Sequence, residues 1–151
     1  MNYKSLTNFT RKLNYFPNQT TGTGYEADSL SYRPRSVDWQ GNRWYRVMGD
    51  AGTRIREGDR HGWCKTTCPR YLPSGSHPKT PGELVDNVKV CLNCQGVGNL
   101  GWGLTPTILG CNHNEYKFHD AATAKIRHCG DYFVYYLTQE RRSYISRYCT
   151  E

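Results

Sequence analysis

The sequence predicts an all-β or β-rich fold: a small antiparallel-sheet domain with long loops, stapled by disulfides. Three observations carry this expectation. Seven cysteines crowd into residues 64–149 of a chain that is only 36% apolar. The 15 Gly and 7 Pro interrupt it too often for long helices. The segments with clear patterning either alternate apolar and polar residues or are β-branched and aromatic. At 151 residues the chain fits one domain, and its 12 tyrosines suit half-buried strand faces, where the ring packs and the hydroxyl stays wet.

Taken in order, residues 1–43 are polar, rich in Asn, Thr, Ser, Tyr and Gly, without sustained periodicity. Residues 1–38 are expected to be an arm that wraps the domain or links to it, since so long a loop is unusual inside a compact core. Order is expected to begin at Trp39, and the domain to run over 39–151. Trp44-Tyr45-Arg46-Val47-Met48 reads as a strand, Gly49-Asp50-Ala51-Gly52 as a turn, and Thr53-Arg54-Ile55-Arg56 as its hairpin partner. Residues 57–83 read as a Gly/Pro-rich loop. Leu84 to Cys91 alternates in part and reads as a strand, residues 95–104 as a glycine-rich loop around Trp102, and Thr105 to Leu109 as a short strand. Ala122 to Cys129 alternates small or apolar with polar residues, Gly130-Asp131 turns, and Tyr132-Phe133-Val134-Tyr135-Tyr136-Leu137 is apolar on both faces, as a central, doubly covered strand should be.

The cysteines are Cys64, Cys68, Cys91, Cys94, Cys111, Cys129 and Cys149. Cys64-x3-Cys68 and Cys91-x2-Cys94 resemble the two knuckles of a zinc ribbon, so a zinc-stabilised basic binding module using those four thiolates is the alternative reading. The first pair lacks a glycine to shape a knuckle, and Cys111, Cys129 and Cys149 have no role in a single zinc site. Disulfide bonding of all seven is therefore favoured, with the odd count leaving one without a partner in the chain. Six paired cysteines allow fifteen connectivities, and spacing does not choose among them. Asn8-Phe9-Thr10 and Asn18-Gln19-Thr20 are N-glycosylation sequons that fit the same oxidising compartment. Met1 to Thr20 holds no apolar signal-peptide core, so for a secreted protein the sequence is expected to be a mature or excised segment. No run reaches the ~18 apolar residues of a membrane helix, and no membrane insertion is expected.

Several blocks, in order, carry a resemblance: Trp44-Tyr45-Arg46-Val47-Met48-Gly49-Asp50-Ala51-Gly52-Thr53-Arg54-Ile55, Gly75-Ser76-His77-Pro78, Gly82-Glu83 ahead of Val90-Cys91, Cys129-Gly130-Asp131-Tyr132-Phe133-Val134-Tyr135-Tyr136-Leu137, and Arg147-Tyr148-Cys149-Thr150. Over about residues 39–150 the chain resembles the cysteine-rich module shared by uromodulin, the pancreatic zymogen-granule membrane glycoprotein and related extracellular proteins. Asn2-Tyr3-x-x-Leu6 is similar to that family's opening segment, whose cysteine would fall before Met1. The family's usual cysteine shortly before the terminal Tyr-Cys-Thr is missing at Arg142-Ser143-Tyr144, and its adjacent middle pair is spread here over Cys94 and Cys111. Cys149 is taken as the residue whose partner is missing. The resemblance implies a non-enzymatic, extracellular module that stands beside other domains and presents N-glycans.

Catalytic chemistry finds little support. Cys111-Asn112-His113 has the residue types of a cysteine nucleophile with its base, but a local cluster says nothing of geometry. His113, His119, Glu115 and Asp120 could hold only an adventitious metal, and Gly96-Val97-Gly98 and Gly101-Trp102-Gly103 lack the lysine or helix of a phosphate loop. His77, between serine and proline, reads as a structural histidine. Trp39, Trp63 or Trp102, among glycines, could stack on sugar rings, with Trp63 and Trp102 the binding candidates; Trp44 is expected in the core. Tyr136, Arg141, Arg142, Tyr144, Arg147 and Tyr148 interleave rings and cations and could bind an acidic glycan, but a solvated C-terminal strand or tail is the favoured reading. The net charge of +7 comes from scattered residues, so no nucleic acid is expected. The expected function is that of an extracellular, secreted scaffold, adhesion or glycan-presenting module without cofactor or metal, within a larger secreted or filament-forming glycoprotein. Its expected partners are other extracellular proteins or copies of itself, and N-glycans on Asn8 and Asn18.

Overall fold

The computed structural model describes residues 2–13, 15, 17–18, 20–30, 34–59, 64, 73–94, 121–141 and 145–151. These form one mostly antiparallel sheet of five strands: β1 (Lys4–Leu6), β2 (Arg43–Val47), β3 (Leu84–Cys91), β4 (Ala121–His128) and β5 (Phe133–Leu137), in the order β1-β2-β5-β4-β3. β5, whose six-residue apolar run resists any single-faced placement, lies in the middle. It pairs antiparallel with β2 (Trp44↔Tyr136, Tyr45↔Tyr135) and with β4 (Lys125↔Tyr136, Ile126↔Tyr135). Gly130, at φ 90°, makes the β4–β5 hairpin turn, closed by the Cys129 N–H donating to the Tyr132 carbonyl. The β3–β4 register shifts between Val85 and Val88, and Asn87 there adopts φ 57°.

Alternation puts Tyr45 and Val47 of β2, Tyr135 and Leu137 of β5, Ala122, Ala124 and Ile126 of β4, and Val88 and Val90 of β3 on one face, where all are buried. Ile55, Leu92, Trp39 and Tyr148 complete this core. The Trp39 ring stacks on Tyr45 at 4.7 Å and on Tyr148 at 5.5 Å and is 6% exposed, so it is a packing residue rather than a sugar platform. Trp44, expected inside, lies half-buried on the opposite face, since it alternates with Tyr45.

Two expectations on β2 and the arm differ from what forms. β2 does not fold back on residues 53–56. Gly49–Ala51 forms a single 3-10 turn, and Gly52, at φ 103°, redirects the chain so that the Thr53 and Arg54 N–H groups donate to the Glu151 carbonyl and Ile55 bridges Thr150. A Cβ on Gly52 would meet the Glu151 carbonyl oxygen at 2.6 Å, so close approach and the left-handed backbone both demand glycine. Order also begins before Trp39: β1 lies parallel beside β2 (Ser5↔Arg46, Leu6↔Val47), and Leu6 is fully buried.

Candidate functional site

The site is built where three distant segments meet. The Cys91 N–H donates to the Arg56 carbonyl at 2.8 Å, the Arg56 N–H to the Cys149 carbonyl at 2.9 Å, and the Cys149 N–H to the Cys91 carbonyl at 3.0 Å. Around this ring lie two disulfides, Cys64–Cys91 and Cys94–Cys149, with Cα–Cα distances of 5.5 and 5.8 Å. Their four residues form a buried cluster of their own, flanked by Leu13 and Ala121. Asn93, at φ 55°, separates the directions of Cys91 and Cys94, so neighbours in sequence face different partners. Sequence separations of 27 and 55 residues correspond to loop-closure stabilisations of about 3.5 and about 4 kcal/mol in the chain-entropy view.

Beside this hub the arm is anchored by charge. Arg11 is fully buried; its Nη1 and Nη2 meet Asp28 at 2.6 and 2.7 Å, and its Nε and Nη2 meet Asp38 at 3.0 and 2.6 Å. Burial alone would lower the guanidinium pKa, but the two carboxylates outweigh it and hold the pKa above its ordinary value. Burial pushes the Asp38 carboxyl up, yet Arg11 and the Asn8 and Thr7 N–H groups take it below the usual range. Asp28 also accepts from the Tyr148 N–H, tying the arm to the C-terminal segment. Arg147, likewise buried, donates to the Gly24 and Thr10 carbonyls and the Thr10 hydroxyl; burial, with Arg11 nearby, pulls it down to about 10.

A second network lies under β5. His77 Nδ1 is 3.1 Å from Glu57 Oε2, and its Nε2 is 2.7 Å from the Tyr135 hydroxyl, which accepts from the Ile55 N–H. Glu57 also accepts from the Gly75 and Ser76 N–H groups and the Ser74 hydroxyl. A neutral ring that donates through Nδ1 and accepts through Nε2 satisfies every one of these bonds. Burial lowers the His77 pKa. It would raise that of Glu57, but the His77 and backbone hydrogen bonds win and take Glu57 down to about 2. The acid–histidine–hydroxyl order imitates a catalytic relay, yet His77, Glu57 and Tyr135 are all buried, and what the arrangement does is fasten the 74–77 loop to β5.

A family model for the uromodulin-like domain matches residues 45–150. The chain belongs to this family. No curated protein matches it. The uromodulin-like match covers the cysteine hub, the His77 network, β3, β4, β5 and the end of β2. Two disulfides in a domain of this family are consistent with an extracellular protein.

Within this uromodulin-like domain the residues named from the sequence fall as follows. Cys64, Cys91, Cys94 and Cys149 come together in the hub. Cys149 is not the unpartnered cysteine: the Leu92↔Tyr148 bridge brings it against Cys94. Cys129 carries a free thiol just beyond the end of β4, where the chain turns towards β5, and this corrects its assignment to a disulfide. The zinc alternative is corrected too, since the sulfurs of Cys91 and Cys94 are bonded to those of Cys64 and Cys149. Cys68, Cys111, Trp63, Trp102, Gly96, Gly98, Gly101, Gly103, Asn112, His113, Glu115, His119, Asp120, Arg142 and Tyr144 lie outside the described residues, as does the strand expected at Thr105–Leu109. Arg147 and Tyr148 are interior, so these two members of the C-terminal ring-and-cation set do not belong to a surface, whereas Tyr136 is half-buried and Arg141 exposed. Sequence reasoning missed Arg11, Asp28 and Asp38, whose only signal was charge among the other charged residues of the arm, Lys4, Lys12, Glu26, Arg33 and Arg35.

Proposed function

We propose that this uromodulin-like domain is a non-enzymatic extracellular scaffold or adhesion module that presents an N-glycan from its arm. The observation that carries the reading is the contrast between its two sequons. Asn8 caps the Phe9–Arg11 3-10 turn; its Oδ1 accepts from the Thr10 N–H and hydroxyl, and that hydroxyl accepts from Arg147. Asn8 and Thr10 therefore have a folding role that needs no sugar. Asn18 and Thr20 are exposed, and Asn18 Oδ1 accepts from the Thr20 and Thr21 N–H groups, which engages the side-chain oxygen rather than the amide nitrogen. Asn18 is the glycan acceptor this geometry favours.

Among the described residues, the interior groups with displaced pKa values are engaged by protein partners and fasten segments to one another, which fits a structural role. The test is non-reducing peptide mass spectrometry of protein secreted from eukaryotic cells, with and without glycosidase. The expected result is the pairs Cys64–Cys91 and Cys94–Cys149 and a sugar on Asn18. Reduced thiols at those four positions, or an unmodified Asn18, would overturn the reading.

A further inference from the structure

The sheet face opposite the core has a composition of its own. Cross-strand register places Trp44, Tyr136 and Lys125 in a middle row, Arg127 opposite Val134 in the row on one side of it, and Lys89 opposite Thr123 on the other side; Arg46 lies two residues on from Trp44 on the same face. Trp44 and Tyr136 pack edge to face at 5.6 Å, both half-buried, which leaves ring surface outward. Lys89 and Lys125 are exposed. Arg46 lies 3.7 Å above the Tyr132 ring and donates to the Tyr3 hydroxyl, Arg127 donates to the Gly82 carbonyl, and Lys89 donates to Thr123. Among the described residues none of these four cations makes an ion pair, although Arg11, Arg54, Arg56 and Arg147 elsewhere all do. Asp86, at the β3 bulge opposite Lys125, makes none there either.

We propose that this face binds an acidic glycan chain. Cations held at fixed spacing without carboxylate partners supply charge complementarity for sulfate or uronate groups. The outward rings of Trp44 and Tyr136 give the pyranose faces something to stack on, which an acidic peptide does not need. The disulfide-bonded, extracellular setting places the face among such glycans rather than among nucleic acids. This goes beyond glycan presentation by Asn18: that sugar is attached covalently, whereas this surface recognises one from outside.

The test uses the whole chain, titrated calorimetrically with a sulfated heparin hexasaccharide, an uncharged hexasaccharide, polyglutamate and a single-stranded oligonucleotide. Saturable heparin binding that weakens with salt is expected, with no binding of the uncharged sugar and at least tenfold weaker binding of polyglutamate and oligonucleotide. The double variant K125A/R127A should lose tenfold or more, W44A threefold or more, and R141A, an exposed cation outside the five strands, less than twofold. Melting temperatures and bridge mapping confirm that each variant is folded. Absent heparin binding, equal binding of polyglutamate or the oligonucleotide, or an unchanged K125A/R127A affinity would overturn the proposal. Loss of the Asn18 sugar would leave these outcomes untouched, so the two readings fail separately.

Discussion

The two faces of the sheet use the same residue types to opposite ends. On the inner side, arginine is buried and matched: Arg11 lies between Asp28 and Asp38, and Arg147 among Thr10, Gly24 and Glu26. On the outer side Arg46, Arg127 and Lys89 meet rings, carbonyls and hydroxyls but, like Lys125, no carboxylate among the described residues. The inner cations are interior construction and the outer ones are surface. A chain with 36% apolar residues thus extends its interior with ion networks and disulfides where aliphatic side chains run short. A net charge of +7 says nothing of this division, because it sums over both sides.

Substitutions should separate the faces sharply. The largest effect is expected at Asp28→Ala, which leaves Arg11 half-matched in the interior and removes the acceptor of the Tyr148 N–H. A loss of about 3–5 kcal/mol is expected, read as failed secretion or a collapsed melting temperature. Next comes the pair Cys94→Ser and Cys149→Ser together, with a loss of up to about 4 kcal/mol measured by chemical denaturation. Gly52→Ala should cost about 1–3 kcal/mol from left-handed backbone and the 2.6 Å approach to Glu151, measured the same way. Lys125→Ala on the outer face should change stability by less than about 0.5 kcal/mol.

Acid should weaken the inner side in steps. The folded-state pKa of His77 lies below its ordinary 6.5, so the unfolded chain takes up the proton first. The stability contributed by the neutral ring is complete above pH 6.5 and drains away as the pH falls below it. Glu57 follows between 4.5 and about 2, and Asp38, also held low, adds to the loss below 3.8. Melting curves across this range should show the first step vanish in His77→Asn and the Glu57 step shrink with the loss of its histidine partner, while the Asp38 step persists.

Legibility in the sequence followed the range of the interactions. β3, β4 and β5 could be read because alternation and the Gly130-Asp131 turn are local signals, and β5 announced its central place by being apolar on both faces. β1 could not: three residues, Lys4–Leu6, carry no period, and their strand state comes from pairing with Tyr45, Arg46 and Val47, far along the chain. The hairpin expected at residues 44–56 failed for a similar reason, since Thr53 and Arg54 find their acceptor at Glu151. The sequence marked all seven cysteines alike as disulfide candidates and Cys149 as the one lacking a partner, because the pairing of Cys64 with Cys91 and of Cys94 with Cys149 depends on the turn at Asn93 and on where Tyr148 bridges. Arg11 and its aspartates looked like ordinary solvated charge until the arm closed over them.

The run from Arg147 to Thr150 is interior throughout, and it touches Thr10 and Arg11, Gly24, Asp28, Ala51, Arg56, Cys91 and Cys94. The contacts that tie Thr10 and Arg11, the Gly49–Ala51 turn and the cysteine hub to one another pass through these four residues, so they cannot form while the ribosome still holds that stretch, although β1 already pairs with β2 without it. A chain halted before residue 147 would lack the cysteine that Cys94 joins and the Tyr148 backbone that meets Arg11 and Asp28. The joining of Cys94 to Cys149 therefore waits for this stretch to emerge, and the bond is a chemical marker that the C-terminal segment has taken its place.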